Sequence, residues 1–128
     1  MSDQDEILSV LLVDDDPHVG NVFELVMNHY HLPLTVMQDA ESALSYLQTN
    51  SPDVVVMDLF LPGLDGYQAL KQIRKNSLAP NAKFIATTAY YTAETEQDAA
   101  NRGFDGYLPK PVNSNTLVPY ILSVAGRG

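Results

Sequence analysis

Near-continuous apolar runs alternate along this chain with segments of helical period, and that alternation constrains the fold more than any other feature. The runs are Ile7-Leu8-Ser9-Val10-Leu11-Leu12-Val13, Leu34-Thr35-Val36-Met37, Val54-Val55-Val56-Met57, Phe84-Ile85-Ala86-Thr87 and the short Tyr107-Leu108. A strand with no polar alternation must be covered on both faces, which calls for a parallel sheet between two helical layers. A sheet with one wet face would alternate apolar and polar residues instead. With 128 residues, 45% of them hydrophobic, the chain suffices for one domain around one core. The expectation is a doubly wound α/β fold, a single domain over residues 1–128 with its core at about 7–124.

The segments between the runs read as five helices. Asp16 caps the first and Pro17 occupies its first turn, with Val19, Val22, Phe23, Val26 and Met27 at helical spacing. Asp39 caps the second, whose inner face is Ala40, Ala43, Leu44 and Leu47. Gly66, Ala69, Leu70 and Ile73 mark a third helix ending near Lys75. The fourth, over 92–101, offers only Ala93, Ala99 and Ala100 for burial and is expected to be the least firmly packed. The fifth is expected from about residue 114, with Leu117, Val118, Ile121 and Leu122 inward and Pro119 inside it, where the proline removes one backbone hydrogen bond and kinks the helix unless the helix starts later.

In a parallel sheet joined by right-handed crossovers, the carboxyl ends of all strands meet at one edge, where such folds bind ligands. Asp14-Asp15 closes the first run, Asp58 the third, Thr88 the fourth and Lys110 the fifth. Each residue alone has an ordinary reading. Asp14, Asp15 and Asp16 could be caps in a solvated turn, and Asp58 could open the Pro62-Gly63 turn. Thr88 could be a strand-end hydroxyl, and Lys110, between two prolines, a loop lysine. Together they describe a magnesium-assisted phosphoryl-transfer site. Close carboxylates repel unless a cation joins them, and magnesium prefers oxygen ligands and keeps room for a phosphate oxygen. An ionised Asp58 can attack phosphorus to form an acyl phosphate. Lys110 and the ion offset charge on the transferring group, and the Thr88 hydroxyl can donate to a phosphoryl oxygen. His18, His29 and His31 show no ligand spacing near the acids.

Several classes are disfavoured. The formal net charge of -9 disfavours direct binding to nucleic acid or anionic membrane, which needs clustered Lys and Arg. No apolar run approaches the roughly 20 residues of a membrane span, and the acidic start Met1-Ser2-Asp3-Gln4-Asp5-Glu6 does not read as a signal peptide. The chain has no cysteine, which removes disulfides and thiolate metal sites and fits a cytoplasmic location. The end, Ala125-Gly126-Arg127-Gly128, shows neither an output domain nor a clear linker.

The segments Leu11-Leu12-Val13-Asp14-Asp15-Asp16-Pro17, Val55-Val56-Met57-Asp58 with Leu61-Pro62-Gly63-Leu64-Asp65-Gly66, Ala86-Thr87-Thr88-Ala89 and Gly106-Tyr107-Leu108-Pro109-Lys110-Pro111 resemble, in order and spacing, the receiver domain of two-component response regulators, chemotaxis regulators among them. The resemblance implies a flavodoxin-like sheet of strand order 2-1-3-4-5, an order for which a chemotaxis receiver is a standard example. It implies that Asp58 is the phosphoacceptor, fed by a sensor histidine kinase or phosphotransfer protein. It gives Asp15 as a direct magnesium ligand, Asp14 as a mostly water-mediated one, and the backbone carbonyl of Phe60 as a third protein ligand. Thr88 and Lys110 would contact the phosphoryl group, Tyr107 would be the switch aromatic that follows Thr88, and Lys110-Pro111 would be cis. Output, to a downstream protein or a fused domain, would use the face of the fourth helix, fifth strand and fifth helix, through which a homodimer could also form.

Some residues depart from the commoner pattern. Phe60 and Tyr90 are large for positions flanking a phosphoryl group, Phe104 stands where a small residue is common, and Pro119 would distort the output face. The expectation is a phosphorylation-dependent switch that catalyses only its own phosphoryl uptake and loss. The main alternative is a magnesium-dependent aspartyl-phosphate phosphatase of the haloacid-dehalogenase kind. Such enzymes need an acid two residues after the nucleophile, where this chain has Phe60. A flavin protein of the same topology would need a hydroxyl- and glycine-rich loop after the first strand, where this chain has Asp14-Asp15-Asp16-Pro17. A receiver-like module that has lost phosphorylation fits poorly with the complete set of acids, threonine and lysine.

Overall fold

A computed structural model describes residues 8–126. Five strands and five helices alternate: β1 (Val10–Val13), α1 (Pro17–His29), β2 (Leu34–Met37), α2 (Ala40–Tyr46), β3 (Val54–Asp58), α3 (Gly66–Lys75), β4 (Lys83–Thr88), α4 (Ala93–Asn101), β5 (Gly106–Pro109) and α5 (Leu117–Val124). All pairings are parallel and the strand order is β2-β1-β3-β4-β5, the flavodoxin-like arrangement. The unbroken apolar character of β1 and β3 follows from their central place, since every residue of both is buried.

Strand residues alternate between two packed layers because successive side chains point to opposite faces. Leu11, Val13, Val55, Met57, Phe84 and Ala86 pack with α2, α3 and Ala99 of α4. Val10, Leu12, Val54, Val56 and Ile85 pack with Val19, Phe23 and Met27 of α1 and with Leu117, Val118 and Ile121 of α5. Phe104 is buried, with its ring edge-on to Tyr67 at 6.1 Å. The large residue before β5 therefore fills the gap between α3 and the sheet edge and does not obstruct the site.

The caps foreseen from sequence are in place. Asp16 accepts from the His18 amide at 2.9 Å, Asp39 from the Ser42 amide at 2.7 Å, and Asp65 forms a capping box with Gln68. Three strands run slightly past their apolar runs: β3 includes Asp58, β4 includes Lys83 and Thr88, and β5 includes Gly106 and Pro109, whereas β1 starts only at Val10, after Leu8 and Ser9. Ile7, expected to open β1, lies outside the described residues.

α5 is a correction. It begins at Leu117, three residues later than expected, so Pro119 sits exposed in its first turn. Amides there have no acceptor within the helix, so the proline removes no internal bond and no kink is required. The chain before it is a turn in which the Asn113 side chain accepts from the Asn115 amide. α4 is as lightly anchored as its composition implied: Ala99 is its single buried residue, and Ala93 and Ala100 are exposed. Among the described residues no helix is long and apolar enough to cross a membrane.

Candidate functional site

The parallel register carries Asp14, Asp58, Thr88 and Lys110 to the carboxyl edge of the sheet. Asp14 follows β1 directly, and its amide still donates to Met37 of β2 at 3.0 Å. Asp58 ends β3, opposite Thr87 of β4. The Lys110 amide donates to the Thr88 carbonyl at 2.9 Å, and the Lys110-Pro111 bond is cis, as the sequence suggested. Backbone pairing therefore places all four residues at this edge before any site chemistry is considered.

Asp14 and Asp58 are buried, with 2% and 6% of their surface exposed, whereas Asp15 is exposed. The Lys110 ammonium closes the pocket, 3.0 Å from Asp14 Oδ2 and 3.1 Å from Asp58 Oδ2. Each carboxylate spends its other oxygen locally. Asp14 Oδ1 accepts from the Asp16 amide and Asp58 Oδ1 from the Phe60 amide, both at 2.9 Å. Asp14 Oδ2 is fully buried, and the Lys110 ammonium at 3.0 Å is its one partner. Burial raises the Asp14 carboxyl above the ordinary aspartate value, and the Asp16 amide and Lys110 only partly counter it. For Lys110, burial alone would lower the ammonium, but the two carboxylates outweigh it and the net shift is upward.

Asp14, Asp15 and Asp58 can each present one oxygen within 4.8 Å of the others. Three convergent carboxylate oxygens, with two of the acids buried, fit a hard divalent cation. The acid set expected from sequence therefore comes together here, with the Phe60 backbone in the turn beside it. The three histidines are exposed and contribute nothing to it.

Thr88 is fully buried, but its hydroxyl accepts from the Tyr90 amide at 3.0 Å and is not engaged with Asp58. Tyr107 is half-buried, with its hydroxyl 2.8 Å from Thr95 Oγ1. Phe60 and Tyr90 are exposed and meet edge to face at 5.3 Å, linking the loops after β3 and β4.

Several contributors were not visible in the sequence. A β-carbon on Gly66 would stand 2.6 Å from the Asp58 carbonyl oxygen, so glycine lets α3 approach the strand end that carries Asp58. Tyr120 of α5 accepts from the Tyr107 amide at 2.7 Å, and Thr87 donates to the Leu108 carbonyl at 2.7 Å. Turn and helix composition hinted at none of these pairings.

A doubly wound parallel sheet whose carboxyl edge gathers three acids, a threonine and a lysine defines an aspartate-centred receiver class. Comparison with known proteins makes the assignment direct: the response regulator receiver domain model matches residues 10–122, and the chain belongs to that family, a component of two-component systems. It is similar to an uncharacterized 14.6 kDa protein of Leptolyngbya boryana from the sodA1 3′ region, at 32% identity over 87% of this chain and 85% of that one. It is also similar to the sensory transduction protein RegX3 of Mycolicibacterium smegmatis, at 31% identity over 94% of this chain and 51% of that protein, so it spans about half of RegX3. Among solved structures, the receiver domain of Francisella response regulator 1452 matches with a TM-score of 0.84 and 30% identity, covering 94% and 98% of the two chains. The receiver domain of a Pseudomonas aeruginosa PAO1 sensor histidine kinase, solved with a magnesium ion coordinated in its active-site cleft, matches at 0.83 and 28% with the same coverage.

Proposed function

We propose that this chain is a phosphorylation-dependent switch in which Asp58 accepts a phosphoryl group from a phosphohistidine on a sensor kinase or phosphotransfer protein. The observation that carries the reading is the convergence of one carboxylate oxygen each from Asp14, Asp15 and Asp58 within 4.8 Å of one another, with Lys110 3.0 Å and 3.1 Å from the two buried acids. Asp15, Asp14, Asp58 and the Phe60 carbonyl would hold magnesium, which when bound supplies positive charge to the phosphoryl oxygens.

The rest of the chemistry belongs to the chain. An Asp58 carboxylate oxygen forms a bond to phosphorus as the donor's phosphorus–nitrogen bond breaks; the imidazole nitrogen keeps the electron pair. Lys110, already 3.1 Å from Asp58, offsets the incoming charge. Thr88 exchanges its contact with the Tyr90 amide for a hydrogen bond to a phosphoryl oxygen. Attack of water on the acyl phosphate reverses the state, so the chain turns over no other substrate. A phosphatase using the same acids lacks its second acid, since Phe60 stands in that place.

Output is assigned to the face of α4, β5 and α5, toward a downstream protein or a fused domain, in the cytoplasm. Glu96 and Asp105 line a cavity of about 220 Å³ there with Tyr107 and Tyr120. A homodimer through this face would set acids of one copy near acids of the other, so a cationic partner surface is the better complement.

Intact-mass measurement after treatment with acetyl phosphate and magnesium tests the proposal. One acid-stable, base-labile phosphoryl group is expected on wild type and none on Asp58→Asn. Undiminished labelling of the variant would remove Asp58 as the acceptor.

A further inference from the structure

We infer that Thr95 is a positioning residue for Tyr107: its hydroxyl holds the tyrosine ring outward and ties that position to the first turn of α4. The inference rests on the switch reading above and adds to it a residue outside the receiver motifs.

Thr95 Oγ1 is a hub. It lies 2.9 Å from the Thr92 amide, 2.8 Å from the Thr92 carbonyl, 3.3 Å from the Thr92 hydroxyl, 3.4 Å from the Tyr90 carbonyl and 2.8 Å from the Tyr107 hydroxyl. A hydroxyl has one proton and two lone pairs. The Thr92 amide can only donate and takes one lone pair. The Thr92 carbonyl can only accept, and as the nearer carbonyl it takes the proton. Two donors face the remaining lone pair, the Tyr107 hydroxyl at 2.8 Å and the Thr92 hydroxyl at 3.3 Å, and the nearer, Tyr107, takes it. Thr95 is thereby saturated, and the α4 capping box formed by Thr92 and Thr95 includes the tyrosine as a third member.

The remaining contacts leave rotation of the Tyr107 side chain as the available motion. Its amide is fixed by Tyr120, and Gly106 beside it has no room for a β-carbon, which would meet the Tyr120 hydroxyl at 2.7 Å. The Tyr91 ring lies against the Tyr107 ring at 5.6 Å, and the Tyr91 hydroxyl donates to Glu96. α4 has one buried residue, so its first turn depends on the capping box and on this tyrosine. Thr88 and Thr95 grip the same short segment, Thr88 at the Tyr90 amide and Thr95 at Thr92. When Thr88 turns to a new anion on Asp58, the first grip is released. The second yields when the Tyr107 ring rotates into the vacated space.

Hydrogen exchange of residues 90–107 tests this, with Tyr107→Phe as the decisive variant because it deletes one hydroxyl and leaves the capping box intact. Exchange of the first turn of α4 is expected to rise about five-fold in Tyr107→Phe, as for loss of one hydrogen bond. A rise at least as large is expected in Thr95→Val and wild-type exchange in Thr95→Ser. The double variant Thr95→Val/Tyr107→Phe should add nothing to Thr95→Val alone. Wild-type exchange in Tyr107→Phe, or full additivity in the double variant, would overturn the inference and leave Thr95 an ordinary cap. Beryllofluoride with magnesium separates the two levels. A wild-type response at Asp58 together with an inert Tyr107→Phe sinks the latch alone, and no response at Asp58 with a loosened Tyr107→Phe sinks the switch reading while the latch stands.

Discussion

Lys110→Met is expected to turn the acidic pocket from a paired site into a destabilised one that magnesium can repair. Lys110 lies 3.0 Å and 3.1 Å from two carboxylates, and the side chains concerned are 12%, 0% and 9% exposed, so solvent screens the contacts weakly. Removing one partner of a buried ion pair costs about 3–5 kcal/mol, because it leaves uncompensated buried charge. Methionine keeps most of the aliphatic stem, so packing changes little. With a urea slope of about 1–3 kcal/mol per M, the midpoint at pH 7.5 in EDTA should fall by roughly 1–5 M. Proton uptake by Asp14 caps the loss. Its carboxyl is raised by burial even in the wild type. A raised folded-state value means that the protonated form favours folding below the unfolded value of 3.8, and this benefit is lost as pH rises through the folded value. Without Lys110 the Asp14 value rises further, so the deficit of Lys110→Met should be largest at alkaline pH and shrink as pH falls. Lys110 obeys the same sign rule from the other side: its stabilisation is present below 10.5 and fades only as pH rises through its raised value. Magnesium at 100 times its dissociation constant adds about 2.7 kcal/mol to a binding-competent fold, and it should help Lys110→Met more than wild type because the pocket is then more negative. Equal urea midpoints for the two proteins in EDTA at pH 7.5, or equal rescue by magnesium, would refute this account of the pocket.

Two further outcomes follow from the same geometry. Asp15→Asn should lower magnesium affinity at least ten-fold, read by amide shifts or tyrosine fluorescence during titration, since Asp15 is the exposed member of the three-acid cluster; equal affinity would discard the metal assignment. Gly66→Ala should cost about 1–3 kcal/mol in urea unfolding and weaken magnesium binding, because the new methyl must displace the Asp58 carbonyl; unchanged affinity would show that the close approach does not position Asp58.

The fold was legible where burial is complete. β1 and β3 are buried at every position, so their sequences carry no other instruction. β5 was read too short because Gly106 and Pro109 are poor strand residues, held there by pairing with Ile85 and Thr88. The start of α5 was misplaced because Ser114 looks like a cap, whereas Asn113 organises the preceding turn through its own side chain. The acids, threonine and lysine were legible because strand ends converge wherever the chain alternates strand and helix. Thr95, Tyr120 and Gly66 were not, because their partners Tyr107 and Asp58 lie on other elements, and helical period alone does not say which strand a helix residue faces.

The bond from Tyr120 to the Tyr107 amide has a consequence for how other chains can meet this sheet. β5 is an outer strand, and such strands usually template the addition of another. Here the Asp105 and Lys110 amides turn inward to β4 carbonyls, the Tyr107 amide is taken by Tyr120, and Pro109 has no amide. The rim of β5 therefore offers no row of donors to a passing strand. A strand arriving here would find carbonyl acceptors without the matching donors, so side chains carry more of any recognition on the face proposed for output.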